Sequence, residues 1–191
     1  LAEAPLITLK AEPQDSELVA IALGGNPEAF ATLVERYDRA VYHLAFRTLH
    51  DVEEARDATQ EAFFKAFRGL RTFKSGAKFS TWIFAITYHG CCDRLNRRKH
   101  YASDELPERA DTAPGPEQQV IALDEASRLR AAIDALPEKY RSVVTLYHLQ
   151  GKQYEEIATV LGLPMGTVKT HLFRAKEQLR RLLGGTEVRE S

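Results

Sequence analysis

Four aromatic residues, Phe79, Trp82, Phe84 and Tyr88, lead into a run of cations, Arg94, Arg97, Arg98 and Lys99. Aromatic rings offer stacking faces to unpaired bases, and guanidinium and ammonium groups neutralise phosphates, so together these residues suit capture of a single nucleic-acid strand. Trp82 and Phe84 cannot face the same way on a helix, so some of these rings belong to the core. A second constellation lies toward the C-terminus. Ala158 is small where two helices must approach, and Gly162, four residues on, suits the left-handed end of the first helix. Val168 then faces back into the angle between the helices, followed by a stripe of Leu172, Ala175, Leu179 and Leu182. That is the internal logic of a helix-turn-helix. The opposite face presents Thr167, Thr170, His171 and Arg174, flanked by Lys169. Short hydrogen-bonding groups followed by long cations suit base edges and phosphates in a major groove. A third group, Asp57, Gln60 and Glu61, is spaced three or four apart, so one helix turn displays them as an acidic rim with Phe64 beside it.

Constellations for catalysis are missing. There is no Gly-Lys-Ser/Thr phosphate loop, dinucleotide-binding glycine fingerprint or nucleophile elbow. Gly24-Gly25-Asn26-Pro27 reads as a turn. His89, Cys92 and Asp93 share part of a helix face but lack a fourth metal ligand. A non-enzymatic chain with no metal and no cofactor is expected.

The formal net charge of −1 conceals segregation. Arg94, Arg97, Arg98 and Lys99 stand without an acid between them, and Lys169, Arg174, Lys176, Arg180 and Arg181 face Glu177 alone. Two basic patches in a near-neutral chain suggest two meetings with a polyanion, although either alone would pass for a solvated helix face. No apolar run approaches the roughly 20 residues that span a bilayer. The first residues are too acidic for a signal peptide. Adjacent Cys91 and Cys92 do not suit a structural disulfide, and a reducing, cytoplasmic setting is expected.

Periodicity is helical almost throughout, and no convincing alternating strand occurs. A first helix is expected over Asp15–Leu23, stopping at Gly24-Gly25. Asn26 caps a second, with Pro27 at its first position and Phe30, Leu33, Val34, Tyr37, Val41, Leu44, Ala45 and Leu49 on its apolar face. Asp51 caps a third, carrying Val52, Ala55, Ala58, Ala62, Phe63, Ala66 and Leu70. After a Lys-rich loop from Phe73 to Phe79, a fourth starts at Ser80 or Thr81 and reaches about Lys99. Residues 102–116, rich in Pro and acid, form a flexible linker. Helix resumes near Glu117 with Val120, Leu123, Leu129, Ile133 and Leu136, and three more helices fit Pro137–Leu149, Gln153–Leu161 and Met165–Leu183. The fold class is all-α: two small helical domains on a tether, the second containing the helix-turn-helix. The expected divisions are a tail 1–14, a first domain 15–101, the linker, a second domain 117–183 and a tail 184–191.

The segment from Leu136 to Leu183, with Gly166-Thr-Val-Lys169 and Arg174-Ala-Lys176 as its most specific parts, resembles the fourth conserved region of extracytoplasmic-function sigma factors. These are alternative specificity subunits of bacterial RNA polymerase. Independently, Asp57-Ala-Thr-Gln-Glu61-Ala-Phe-Phe-Lys-Ala66 resembles the polymerase-binding signature of the second conserved region. Phe79-Ser-Thr-Trp82-Ile83 resembles the start of its DNA-melting helix. The resemblance covers about Asp15 to Leu183. It implies a factor that binds core RNA polymerase through Asp57, Gln60, Glu61 and Phe64. It implies that Lys74, Lys78, Trp82, Tyr88, His89, Arg94, Arg97 and Arg98 read and open the −10 promoter element. Tyr154, Glu155, Pro164, Gly166, Thr167, Lys169, Thr170, His171, Phe173 and Arg174 would bind the −35 element as duplex. An anti-sigma factor is the further partner implied. The family commonly has Asn seven residues after this Trp, in a pocket for an extruded base; here His89 stands there. A solitary repressor would need a dimerisation surface or sensor domain, and a docking signature stands in its place.

Overall fold

The computed structural model describes residues 13–74, 76–104 and 125–184. Every regular element among them is helical: α1 (Asp15–Leu23), α2 (Pro27–Leu49), α3 (Val52–Gly69), α4 (Phe79–Asp104), α5 (Glu125–Asp134), α6 (Glu138–Val144), α7 (Tyr154–Leu161) and α8 (Met165–Leu182). A short 3₁₀ turn, Leu70–Thr72, follows α3, and a π segment, Thr145–Leu149, continues α6.

Local chemistry sets the boundaries. Asn26 Oδ1 accepts the Glu28 amide at 3.0 Å with Pro27 at the first helical position, and Asp51 Oδ1 accepts the Glu54 amide at 2.9 Å. His50, at φ 56°, ends α2 in the left-handed region. No Gly or Pro follows Lys99 until Pro107, and α4 accordingly runs on to Asp104. The expected linker falls largely outside the described residues, as do the resumption of helix near Glu117 and the positions of Val120 and Leu123.

In the first domain α2 packs against α1, α3 and α4, and α3 against α4. Leu33, Val41, Leu44, Ala45, Ala55, Ala66 and Ile83 are fully enclosed. Asp15 pins α1 by accepting from Arg36 Nη1 and the Tyr37 hydroxyl, both at 2.5 Å. In the second domain α8 lies against α6 and α7, burying Val168 and Ala175. Three positions expected on apolar faces are substantially exposed: Val52, Leu129 and Leu182. Val52 and Leu182 are the first residue of α3 and the last of α8, where neighbouring helices no longer cover the stripe, and Leu129 stands exposed in the middle of α5.

The two domains are not apart. α4 packs against α7, and α2 against α6. One apolar cluster runs through Leu33, Val41, Ile83 and Phe84 into Val143, Leu146, Ile157, Val160 and Val168.

Candidate nucleic-acid interface

α3 turns its alanines inward, which leaves Asp57, Gln60 and Phe64 exposed along one edge. Phe64 is 60% exposed, with the Arg68 guanidinium 5.5 Å from its ring centre. Phe67, half exposed and edge-on to Phe30 at 5.1 Å, extends this apolar patch. The sequence reading missed Phe67, although its position three residues after Phe64 signals a shared face. Glu61 differs from its neighbours. Lys65 Nζ lies 2.8 Å from one carboxylate oxygen and Arg94 Nη2 2.7 Å from the other. Hydrogen bonds from Lys65 and then Arg94 hold its carboxyl below the usual carboxylate range.

On α4 the aromatics divide. Phe79 and Phe84 are core residues. Trp82 is half-buried, 5.2 Å from the Phe73 ring and 5.9 Å from Phe79, and its edge passes over Gly69. Tyr88 is half-buried, and burial followed by the neighbouring Cys92 pushes its hydroxyl pKa up. His89 is exposed, with its ring beside Gly162 of the helix-turn-helix. Lys74 is exposed, and Lys78 reaches Glu156 at 3.4 Å. The expected basic patch is partly neutralised from within, because Arg94 pairs with Glu61 and Arg98 with Glu54, both on α3. Arg97 projects to solvent and, among the described residues, bonds its own helix at the Asp93 carbonyl.

In the helix-turn-helix Gly162 has φ 64°, and its amide donates to the Ala158 carbonyl. Pro164 precedes α8, whose exposed face carries Gly166, Thr170 and Arg174, with Thr167 half-exposed. The Thr170 hydroxyl donates back to the Gly166 carbonyl at 2.9 Å. His171 departs from expectation. It is half-buried, edge-on to Tyr140 at 5.4 Å, with Nδ1 enclosed and unbonded. Burial, then Lys139 and Arg174, lowers its pKa and favours the neutral ring. The reason is register: His171 lies three residues after Val168 and four before Ala175, on the buried stripe. Tyr154, Lys169 and Phe173 gather on the other flank. With Val144, Tyr147 and Leu172 they line an open groove of about 500 Å³. Tyr154 stacks on Tyr147 at 5.3 Å, and Lys169 Nζ lies 5.9 Å from the Tyr154 ring centre. Glu155 is exposed at the start of α7.

The geometry therefore comprises an acidic and aromatic edge on α3, an aromatic helix α4 and an outward face on α8. Comparison with known proteins matches this division. The profile described as Sigma-70 region 2 matches residues 33–101, and that described as Sigma-70, region 4 matches residues 126–179. The RNA polymerase sigma-H factor of Pseudomonas aeruginosa is 34% identical over 90% of this chain and 95% of its own. The ECF RNA polymerase sigma factor SigW of Bacillus subtilis is 35% identical over 83% of this chain and 91% of its own. The structure of CnrH, solved in complex with the cytosolic domain of CnrY, superposes with a TM-score of 0.66 at 26% identity, covering 91% of this chain and 99% of that one. The chain belongs to the extracytoplasmic-function (ECF) RNA polymerase sigma factors. Members of this family are DNA-binding initiation factors rather than enzymes. Among the described residues no helix is long and apolar enough to cross a membrane.

Proposed function

We propose that this chain docks on core RNA polymerase through the exposed α3 edge of Asp57, Gln60 and Phe64, with Glu61 at its base. The enzyme it joins is then directed to promoters. Trp82, Tyr88, His89 and the cations Lys74, Lys78, Arg94, Arg97 and Arg98 serve the −10 element, with Arg94 and Arg98 exchanging their glutamates for phosphates. Gly166, Thr167, Thr170 and Arg174 meet the −35 duplex. Tyr154, Glu155, Pro164, Lys169 and Phe173 frame that contact, and His171 supports it from behind. The working units are 15–104, extended from the expected boundary at 101 because α4 runs on to Asp104, and 117–183, joined by 105–116, with tails at 1–14 and 184–191. The chain performs no covalent chemistry, needs no metal or cofactor, and acts in the cytoplasm. An anti-sigma factor restrains it.

The observation that carries this reading is the pairing of an open α3 edge with an open α8 face on domains that match both sigma regions in order. Run-off transcription with purified core polymerase on a promoter library tests it. Transcripts should arise from a subset of promoters sharing two spaced elements, and only when the chain is added. No promoter-dependent transcript, together with no capture of core enzyme, would refute the reading.

A further inference from the structure

Sulfur enters this chain at two cysteines, Cys91 and Cys92, and one methionine, Met165. Cys91 is fully enclosed, and burial followed by the adjacent Cys92 pushes its thiol pKa up to about 12. Cys92 is half-buried, its Sγ 4.0 Å from Glu138 Oε1 of α6, and burial raises its pKa as well. Oxidants attack the thiolate, so neither cysteine offers a ready target. Met165 differs on both counts. It is 41% exposed, and a thioether needs no deprotonation to react.

Its position ties that chemistry to the −35 face. Met165 is the first residue of α8, between Pro164 and Gly166, with Lys169 one turn on along the same flank. The Thr167 and Val168 amides donate to the Pro164 carbonyl at 2.9 and 3.1 Å, which sets the backbone of this first turn. Helical side chains lean toward the N-terminus, so a long one here reaches beyond the end of the recognition helix, where such helices approach base edges. Met165 lies three residues before Val168, in register with the buried stripe, yet no apolar cluster among the described residues takes it up. A Cβ at Gly166 beside it would meet nothing within 4 Å. An unbranched apolar side chain held open at this place suits a thymine methyl or the edge of a sugar.

We propose that Met165 is both a −35 contact and an oxidation site, and that conversion of its thioether to the sulfoxide by a peroxide weakens −35 binding. The inference rests on the −35 role proposed above for α8. In the step a sulfur lone pair attacks one oxygen of hydrogen peroxide, forming an S–O bond as the O–O bond breaks. Sulfur is oxidised by two electrons and the peroxide is reduced. The hydroxide released takes the proton from the S–OH group and leaves as water. A polar, chiral sulfoxide then stands where an apolar group met the DNA, and its oxygen loses water on binding without gaining a partner.

In the test the full chain is treated with millimolar hydrogen peroxide and the excess is removed by catalase. Dithiothreitol then reverses any sulfenic acid or disulfide while leaving sulfoxide in place. Peptide mass mapping should place one added oxygen on Met165 and none on Cys91 or Cys92. Holoenzyme is assembled with untreated core polymerase and titrated with a fluorescein-labelled duplex from the run-off library that carries the −35 element. Affinity should fall at least about threefold, while capture of core polymerase stays unchanged. Methionine sulfoxide reductases A and B together should restore binding. Met165→Leu, of similar volume and without sulfur, should bind as wild type and ignore peroxide. Met165→Gln should bind weakly with no oxidant added. The proposal is overturned if the oxygen lands on a cysteine, if oxidised Met165 leaves affinity unchanged, or if peroxide weakens Met165→Leu as much as wild type. Untreated wild-type holoenzyme that showed no dependence on the −35 element would instead sink the sigma reading of α8, and the mass map would still decide whether Met165 is the oxidised site.

Discussion

Thr170, His171 and Arg174 lie close together on α8 but have different surroundings. Thr170 and Arg174 face solvent, whereas His171 leans on Tyr140. Arg174→Ala and Thr170→Ala should each weaken holoenzyme binding at the −35 element, by about 1–3 kcal/mol where a good base contact is lost. His171→Ala should change that affinity by no more than about 0.5 kcal/mol while lowering the melting temperature. Promoter-binding titrations beside thermal melts separate the two effects. Titration carries a further consequence. Burial, followed by nearby arginines or lysines, lowers the pKa of His43, His50 and His171 from 6.5. Below about pH 6.5 the unfolded chain takes up protons that the folded chain refuses, so stability is full above that pH and falls as pH drops toward the folded values. Melting should occur at lower temperature at pH 5.5 than at pH 7.5, and His171→Gln should make the decline shallower. An unchanged pH profile in that variant would contradict burial of the ring. Glu61 and Glu156, lowered from 4.5, contribute only in the more acidic range below this window.

On α3 the exposed edge can be altered without disturbing the packing beneath it. Asp57→Lys combined with Phe64→Ala should reduce capture of core polymerase at least tenfold. Folding stability should move by only about 0.5 kcal/mol per exposed site. Unchanged capture by this folded double variant would remove α3 from the docking surface. Glu61→Lys is a poor probe of docking, since it places an ammonium between Lys65 and Arg94 and disturbs the α3–α4 contact itself. In the helix-turn-helix the decisive backbone position is Gly162. Alanine there has room beside His89 but must adopt φ 64°, at a cost of about 1–2 kcal/mol. Urea unfolding should show that loss as a lower midpoint with an unchanged slope, a signature of backbone strain rather than altered compactness.

Taken whole, the chain should bind promoter DNA weakly and with strong salt dependence when alone, because a short recognition helix reaches few phosphates. Adding core polymerase should tighten binding greatly. Nanomolar affinity of the isolated chain for one operator at physiological salt would point to a repressor instead. Much of this molecule was legible in the sequence. The helices follow from apolar spacing, from the Asn26 and Asp51 caps and from Gly162, all of which act within a turn or two of chain. The α3 edge and the outer face of α8 were legible for the same reason, since residues three and four apart must share a face. The inward turn of His171 was written in its distance from Val168 and Ala175, but its chemistry suggested DNA. Pairing of Arg94 with Glu61 and of Arg98 with Glu54 was not legible, because it depends on how α3 and α4 lie together. Nor was closure of the domains. Lys152 meets Ser80 across 72 residues and Glu156 meets Thr81 across 75. Such pairs leave no local periodicity, and a lysine in a turn reads as a solvated charge until the opposite helix arrives to replace its water.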